Sequence, residues 1–468
     1  MALLCAFALG VVAGHRWPAA NGAGTPGSPP DGRRPGGVDG APAASDDRSA
    51  APARGKWREA RMPGPSGAEG EGRSGTGGGE PAAEVPDQAA EALLAAPYLQ
   101  GYRPAGPPSP TVTVHDDEAV APGLNLYVSG HGPEAILMDP LGRVLHTWRT
   151  SLRAARPDLY AGGPPDEQVR KAEYFRRARL LSDGSLLAIF EGLALVKLDR
   201  ASNLLWAYRG GAHHDLDVDS EGRVYVLDRE GKELPRLGRD HPVLEDFVTV
   251  LSPEGERLQR ISILEAFEGS PYAPLLHRIP RRPDVFHTNT VEILDGSLAR
   301  RNPAFREGNL LISVLELDTV AVLDPERGEI VWALTGLWRK QHQPTVVPPG
   351  RLLLFDNLGA GLGRSRAVEL DPFTQEVAWT YGGDRATDLY SKTLGSCQRL
   401  PNGNTLLTES ENGRALEVTR AGEPVWEFRS PHRAGDEGEL VAVLPDLVRL
   451  PPDFPFQGVP ERAARAAP

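Results

Sequence analysis

Residues 308–334 read GNLLISVLELDTVAVLDPERGEIVWAL. Three apolar runs in this stretch are separated by turn residues, and the last run carries an aromatic residue, Trp332. Short apolar runs bounded by Gly, Pro and Asp are typical of antiparallel hairpins. The same pattern recurs at 176–208, as RRARLLSDGSLLAIFEGLALVKLDRASNLLWAY, and again at 396–428. The stretch therefore belongs to an internal repeat of β-hairpins.

The repeat predicts the fold class. From Ala135 onward it occurs about six times, complete or in part, and each complete copy holds about four short strands. We therefore predict an all-β protein, a six-bladed β-propeller. The spacing between His287 and His342 exceeds the roughly 40–50 residues of compact propeller repeats, so the loops are long enough to build a site. Recurring tryptophans are predicted to pack between sheets: Trp148, Trp206, Trp332, Trp379 and Trp426.

Two segments of different composition precede the repeats. Residues 2–14 are uninterruptedly apolar but shorter than the roughly 20 residues of a spanning helix, which predicts a signal or anchor segment over 1–17. Residues 18–86 are rich in Gly, Pro and Ala and predict a disordered linker. The propeller domain is predicted at 87–468. This order predicts an exported domain, either tethered to the membrane through the N-terminus or periplasmic or extracellular; whether the apolar segment is cleaved stays open.

Charge and cysteine content exclude several classes of function. Lys+Arg total 51 against Asp+Glu 63, a net charge of −12, which argues against a nucleic-acid partner held through phosphates. The two cysteines, Cys5 and Cys397, exclude a disulfide within the folded part and a cysteine-based zinc site. Cys397 is expected to be a small buried residue. We expect a monomer or small homo-oligomer.

Three histidines share one position in the repeat. The position is found by counting back from the glycine in the first turn of each copy. Eight residues before Gly184, Gly222, Gly350 and Gly403 stand Arg176, His214, His342 and Gly395, respectively. Nine residues before Gly296 stands His287. In a propeller this position begins the innermost strand, beside the central channel. The sequence therefore predicts that the imidazoles of His214, His287 and His342 converge.

Converged imidazoles suit either metal ligation or the handling of an anion. Asn289, two residues after His287, and Arg176 supply neutral and positive donors, which favours an anion. Asp215 adjoins His214 and would either orient it or join a metal shell, so both chemistries stay open. His213 is expected to point to the opposite side of the strand from His214.

Several segments, in order, resemble a known family. HHDLDV (213–218), DVFHTNTVEIL (284–294), QHQPTVVPPGRLLLFDNLG (341–359) and LPNGNTLLTES (400–410) are similar to the PAPS-independent arylsulfotransferases, over about residues 110–450. The resemblance implies a six-bladed propeller that moves a sulfuryl group from an aryl sulfate to a phenol through a covalent sulfohistidine, with no cofactor. It implies that His342 is the nucleophile, that His214 and His287 bind sulfate and act as acid and base, and that Asn289 is their companion amide.

The sequence departs from this family at the position of a sulfate-clamping arginine, where Leu315 stands. A leucine supplies no donor to an anion. Arg229 lies seven residues after Gly222, as Leu315 does after Gly308, and is our hypothetical substitute; the alternative is an ordinary surface arginine. Two other functions remain open: a non-catalytic propeller that binds a small anionic or phenolic ligand, and a metal-dependent enzyme that uses the three histidines as ligands.

Overall fold

The computed structural model describes residues 101–384 and 387–455. The predicted signal or anchor segment (1–17), the predicted linker (18–86) and the predicted start of the domain at residue 87 lie outside these ranges and stay predictions. Within the described ranges, every helix is too short to cross a membrane.

Short strands dominate the described residues. The first fourteen are β1 (Tyr102–Pro104), β2 (Val112–His115), β3 (Asn125–Val128), β4 (Glu134–Met138), β5 (Val144–Arg149), β6 (Phe175–Leu180), β7 (Leu186–Phe190), β8 (Ala194–Leu198), β9 (Leu204–Tyr208), β10 (Ala212–Val218), β11 (Val224–Lys232), β12 (Val243–Leu251), β13 (Arg257–Ser262) and β14 (Thr288–Ile293). The others are β15 (Leu310–Val314), β16 (Thr319–Asp324), β17 (Glu329–Thr335), β18 (His342–Val347), β19 (Arg351–Asp356), β20 (Arg366–Leu370), β21 (Val377–Gly382), β22 (Ser396–Arg399), β23 (Thr405–Glu409), β24 (Arg414–Val418), β25 (Pro424–Arg429), β26 (Arg433–Ala434), β27 (Leu440–Ala442) and β28 (Asp446–Arg449).

The helices of the described ranges lie in connections between strands. The α-helices are α1 (Leu152–Ala155), α2 (Glu167–Lys171) and α3 (Ile263–Glu268). Short 3-10 helices occupy Pro157–Tyr160, Pro235–Leu237, Ala273–Arg278, Pro303–Phe305, Leu315–Leu317 and Ser410–Asn412.

Strands that follow one another in the chain pair into antiparallel sheets. Within the described residues six sheets have four or five strands. The strand written first for each sheet is called its first strand below: sheet 1 (β28-β3-β4-β5), sheet 2 (β6 to β9), sheet 3 (β10 to β13), sheet 4 (β14 to β17), sheet 5 (β18 to β21) and sheet 6 (β22 to β25, with β2 paired to β25). A smaller sheet has the order β1-β27-β26. The first strand of each large sheet contacts the first strand of the next, and β28 contacts both β22 and β6. The predicted all-β class is confirmed.

The core lies between the faces of neighbouring sheets. Trp148 and Phe190, from sheets 1 and 2, are fully buried in one apolar cluster. Indole N–H groups on β9, β21 and β25 also donate to a carbonyl in a turn of the next sheet: Trp206 to Pro253 (3.0 Å), Trp379 to Arg420 (2.9 Å) and Trp426 to Pro140 (2.7 Å). These tryptophans therefore pack between sheets, as predicted. Cys397 is buried, also as predicted.

Arg177 joins the first strands of four sheets. Its Nε lies 3.0 Å from Asp215 Oδ1 in sheet 3, and its Nη1 lies 2.6 Å from Asp446 Oδ2 in sheet 1. Its Nη2 donates to Gln343 Oε1 in sheet 5 at 3.2 Å. The three charged side chains are buried, so each depends on the others for compensation of its lost hydration.

We expect Arg177→Met to lower the free energy of unfolding by about 3–5 kcal/mol, because it leaves two buried carboxylates without their cation. Urea denaturation measures the change. Arg179→Met is the matched control: Arg179 pairs with Asp217 at 2.7 Å, but its side chain is 45% exposed, so the loss is about 1 kcal/mol or less. Equal effects of the two substitutions would show that the Arg177 network does not stabilise the ring of first strands.

Candidate active site

Apart from Arg229, which lies in β11, the predicted site residues lie at or beside β-bulges near the start of the first strands. The register shifts between Phe175 and Arg177, between Ala212 and Leu216, between Thr288 and Thr290, and between His342 and Thr345. A bulge interrupts the alternation of side chains and redirects them, which is why bulges recur beside active sites. His214 and His287 have φ values of +54° and +50°, a conformation uncommon for residues other than glycine.

The three histidines line one cavity of about 360 Å³. The rings of His214 and His287 have centroids 4.6 Å apart and lie at 75° to each other. The structure thus brings His214, His287 and His342 together, while their chemical roles stay predictions. The other described lining residues are Arg282, Asp284, Leu315, Glu316, Lys340, Leu358, Lys392, Thr393 and Leu394.

His342 is held in one tautomer. Its Nδ1 lies 2.8 Å from Asn357 Oδ1 and 3.1 Å from the Lys340 carbonyl oxygen. The Asn357 amide is itself oriented, because its Nδ2 donates to the carbonyls of Ser391 and Leu394 at 2.8 and 2.7 Å. Both neighbours of Nδ1 are acceptors, so Nδ1 carries the proton and Nε2 keeps its lone pair. Burial lowers the pKa of His342 to about 3, so the ring is neutral near pH 7.

His287 has the opposite character. Its Nδ1 lies 2.5 Å from Asp284 Oδ2. Burial lowers the pKa of His287, but the charge of Asp284 and its hydrogen bond outweigh burial, so the pKa is raised. For Asp284, burial raises the pKa, but the charge and the hydrogen bond of His287 outweigh burial, so the pKa of Asp284 is lowered. The ion pair therefore favours the protonated form of His287, whereas burial favours the neutral form of His342.

Glu191, fully buried, organises the groups behind His214. Its Oε1 lies 3.1 Å from His214 Nδ1, and its Oε2 accepts the His214 backbone N–H at 3.0 Å. Arg229 Nη2 lies 3.4 Å from Oε1, and Arg176 Nε lies 3.9 Å from Oε2. Neither arginine is among the described residues that line the cavity. Arg229 is 3% exposed, so the alternative of a surface arginine is wrong.

His213 does not point away from His214. The two Nδ1 atoms lie 2.9 Å apart, because the bulge between Ala212 and Leu216 breaks the alternation on which the expectation rested. Ligand atoms of Glu191, His213 and His214 lie within 4.8 Å of one another and would suit a metal ion. The guanidinium groups of Arg176 and Arg229 lie against the same carboxylate and oppose a divalent cation there.

Asn289 lies behind His342. Its Nδ2 donates to the Gln341 carbonyl at 2.8 Å, and its Oδ1 accepts from Thr290 Oγ1 at 3.2 Å. It is not among the described lining residues, so in this structure its contacts fix the backbone just before His342. A direct contact between its amide and a sulfuryl group stays a prediction.

A family model described as arylsulfotransferase (ASST) matches residues 177–431. The chain belongs to this family. No curated protein matches the chain significantly. Among solved structures it is similar to a protein of unknown function from Bacteroides caccae (11% identity, 70% of this chain and 98% of that one, TM-score 0.45) and to the WD40 β-propeller domain of Doa1 (13%, 75% and 97%, 0.38). It is also similar to the Dos1 propeller (11%, 71% and 76%, 0.37).

In this member of the family, Leu315 lines the cavity, and the Arg and Lys residues of the described lining are Arg282, Lys340 and Lys392. These cations were not predicted from the sequence, and neither were Glu191, Asp284 and Asn357. Two of the six could have been predicted from the sequence. Glu191 and Asn357 lie seven residues after Gly184 and Gly350, and the same count identified Arg229. The others lie in loops outside that register.

Proposed function

We propose that the six large sheets are the six blades of one β-propeller, and that this enzyme transfers a sulfuryl group from an aryl sulfate to a phenol. The proposed route is a covalent sulfohistidine on His342, with no nucleotide sulfate donor. The observation that carries the proposal is the hydrogen bonding of His342, whose Nδ1 proton faces Asn357 and whose Nε2 lone pair remains for attack.

The first half-reaction forms the covalent intermediate. His342 Nε2 attacks sulfur, the N–S bond forms, and the bond from sulfur to the phenolic oxygen breaks with its electron pair on that oxygen. The imidazolium of His287 donates its Nε2 proton to the departing oxygen. Its Nδ1 keeps the other proton, which remains hydrogen-bonded to Asp284. The first product is a phenol, and His287 is left neutral.

The second half-reaction reverses these roles. Neutral His287 takes the proton of an acceptor phenol, whose oxygen attacks the sulfur as the N–S bond breaks. The electron pair of that bond returns to His342 Nε2, and His287 is again protonated. One residue thus serves as acid and then as base, so the cycle needs no external proton carrier.

His214 would bind a sulfuryl oxygen. Burial, together with the nearby charge of His287, holds the pKa of His214 well below its usual value. Its Nδ1 faces Glu191, and its Nε2 has no hydrogen-bond partner among the described residues. An anion in the cavity favours protonation at Nε2, which would then donate to it while Glu191 accepts from Nδ1.

Initial-rate kinetics test the proposal. With the full-length protein, 4-nitrophenyl sulfate as donor and a phenol as acceptor, we expect transfer without added nucleotide sulfate, and parallel lines in double-reciprocal plots. Intersecting lines would show that donor and acceptor are bound together and would contradict the proposed ping-pong route.

A further inference from the structure

The cavity carries more positive charge than the sulfuryl chemistry uses. Besides the histidines it is lined by Arg282, Lys340 and Lys392, and by one further carboxylate, Glu316. Glu316 pairs with Arg282, and its Oε2 lies 2.8 Å from Lys340 Nζ. Two cations therefore share one buried carboxylate. No carboxylate within residues 101–384 and 387–455 lies within ion-pair distance of the Lys392 ammonium.

The backbone that carries Lys392 is fixed relative to the nucleophile. The Lys392 N–H donates to Glu411 Oε2 at 2.7 Å. The carbonyls on either side of it, those of Ser391 and Leu394, accept from the same Asn357 amide that holds His342. The cation and the reacting imidazole are thus attached to one support, as expected when two groups must meet two ends of one molecule.

The rest of the wall is apolar. Leu315, Leu358 and Leu394 also line the cavity, and no Phe, Tyr or Trp is among its described lining residues. A volume of about 360 Å³ is near the lower end of the roughly 300–1,000 Å³ of small-molecule sites. The leucines therefore suit a single aromatic ring with small substituents.

From this arrangement we propose that the substrates are phenols, and their sulfate esters, that carry a carboxylate on a second substituent, and that Lys392 binds this carboxylate. The inference rests on the proposed sulfuryl transfer and specifies its substrate class. The ring packs against the leucines, the phenolic oxygen faces the histidines, and the carboxylate binds Lys392, the lining cation that has no carboxylate partner among the described residues. Charge-assisted contacts of this kind favour the carboxylate over a neutral group of the same shape.

A pair of acceptors isolates this contact. In 3-(4-hydroxyphenyl)propionate and its primary amide, a saturated spacer keeps the phenol equally reactive while the charge differs. With 4-nitrophenyl sulfate as donor, we expect kcat/KM of the full-length protein to be at least about tenfold higher for the acid than for the amide. Higher salt should reduce this preference, because the ammonium is exposed to solvent.

Substitution of the lysine should remove the preference. We expect Lys392→Met to lower kcat/KM for the acid about tenfold and to leave the amide within about twofold, whereas Lys392→Arg keeps most of the preference. Lys171→Met, which alters an exposed lysine on α2 outside the cavity lining, is the matched control and should change neither value. Equal use of acid and amide by the unaltered protein, or an equal loss of both in Lys392→Met, would overturn the inference.

Binding separates this inference from the proposed function. In full-length His342→Ala, calorimetry measures acid and amide without any turnover. Tighter binding of the acid that disappears in the His342→Ala, Lys392→Met double variant supports the carboxylate subsite, even if the unaltered protein transfers no sulfuryl group. Equal binding of acid and amide, or binding of neither, overturns the subsite, even if the transfer itself is observed.

Discussion

Sulfuryl transfer should fall at least about a thousandfold when His342 is replaced by alanine, because the proposed covalent route is lost while the neighbouring donors remain. The measured quantity is kcat for transfer from 4-nitrophenyl sulfate to a phenol by the folded, full-length variant. His277→Ala, which removes an exposed histidine outside the cavity lining, is the control and should keep full activity. Retention of more than about a tenth of the activity by His342→Ala would exclude His342 as the nucleophile.

The support of His342 predicts a graded loss. Asn357→Leu keeps the imidazole but removes the acceptor that fixes its proton on Nδ1, so Nε2 is protonated in part of the molecules. We expect its activity to lie between that of the unaltered protein and that of His342→Ala. The same variant loses the anchor of the Ser391 and Leu394 carbonyls, so circular dichroism must first show that it is folded.

Asp284→Asn should move the alkaline limit of the first half-reaction to lower pH. The raised pKa of His287 depends on the Asp284 carboxylate, and without that charge burial dominates and lowers the pKa. The acid is required in its protonated form, so activity is present below the His287 pKa and is lost as the pH rises through it. We expect a shift of more than about one pH unit in single-turnover release of the first phenol.

The size of this effect should depend on the leaving group. A phenolate of high basicity needs the proton, so we expect its release at pH 8 to fall about 100-fold or more in Asp284→Asn, whereas release of 4-nitrophenolate falls much less. His287→Ala should lose the alkaline limit altogether. An unchanged alkaline limit in Asp284→Asn would show that His287 is not the acid.

Much of the site followed from counting along the repeat. The turn glycines Gly184, Gly222, Gly350 and Gly403 all have positive φ, so each fixes its hairpin in the same register. Counting back from them reached Arg176, His214 and His342. His214 and His342 line the cavity, and Arg176 lies beside the Glu191 carboxylate that also contacts His214. Counting forward by seven identifies the residues just after four second strands, Glu191, Leu315, Asn357 and Ser410, and Arg229 within β11, although we used this count only for Arg229 and Leu315.

The other residues of the site could not be found by counting along the repeat, because their positions depend on bulges, unusual backbone angles and loops. Alternation predicted His213 on the far side of the strand, and the bulge in β10 placed its ring against His214 instead. The pairing of Asp284 with His287 depends on the backbone at His287, where φ is positive. Arg282 and Lys392 come from loops, whose paths are set by contacts distant in sequence, such as the bond from Lys392 to Glu411.

Intact-mass spectrometry of the full-length protein after brief exposure to 4-nitrophenyl sulfate tests the central claim most directly. The covalent route predicts that the unaltered protein gains the mass of one sulfuryl group, that His342→Ala gains none, and that addition of a phenol removes the gain. Absence of any gain on the folded, unaltered protein with every aryl sulfate tried would contradict the covalent route and would favour a propeller that binds its ligand without transferring a group.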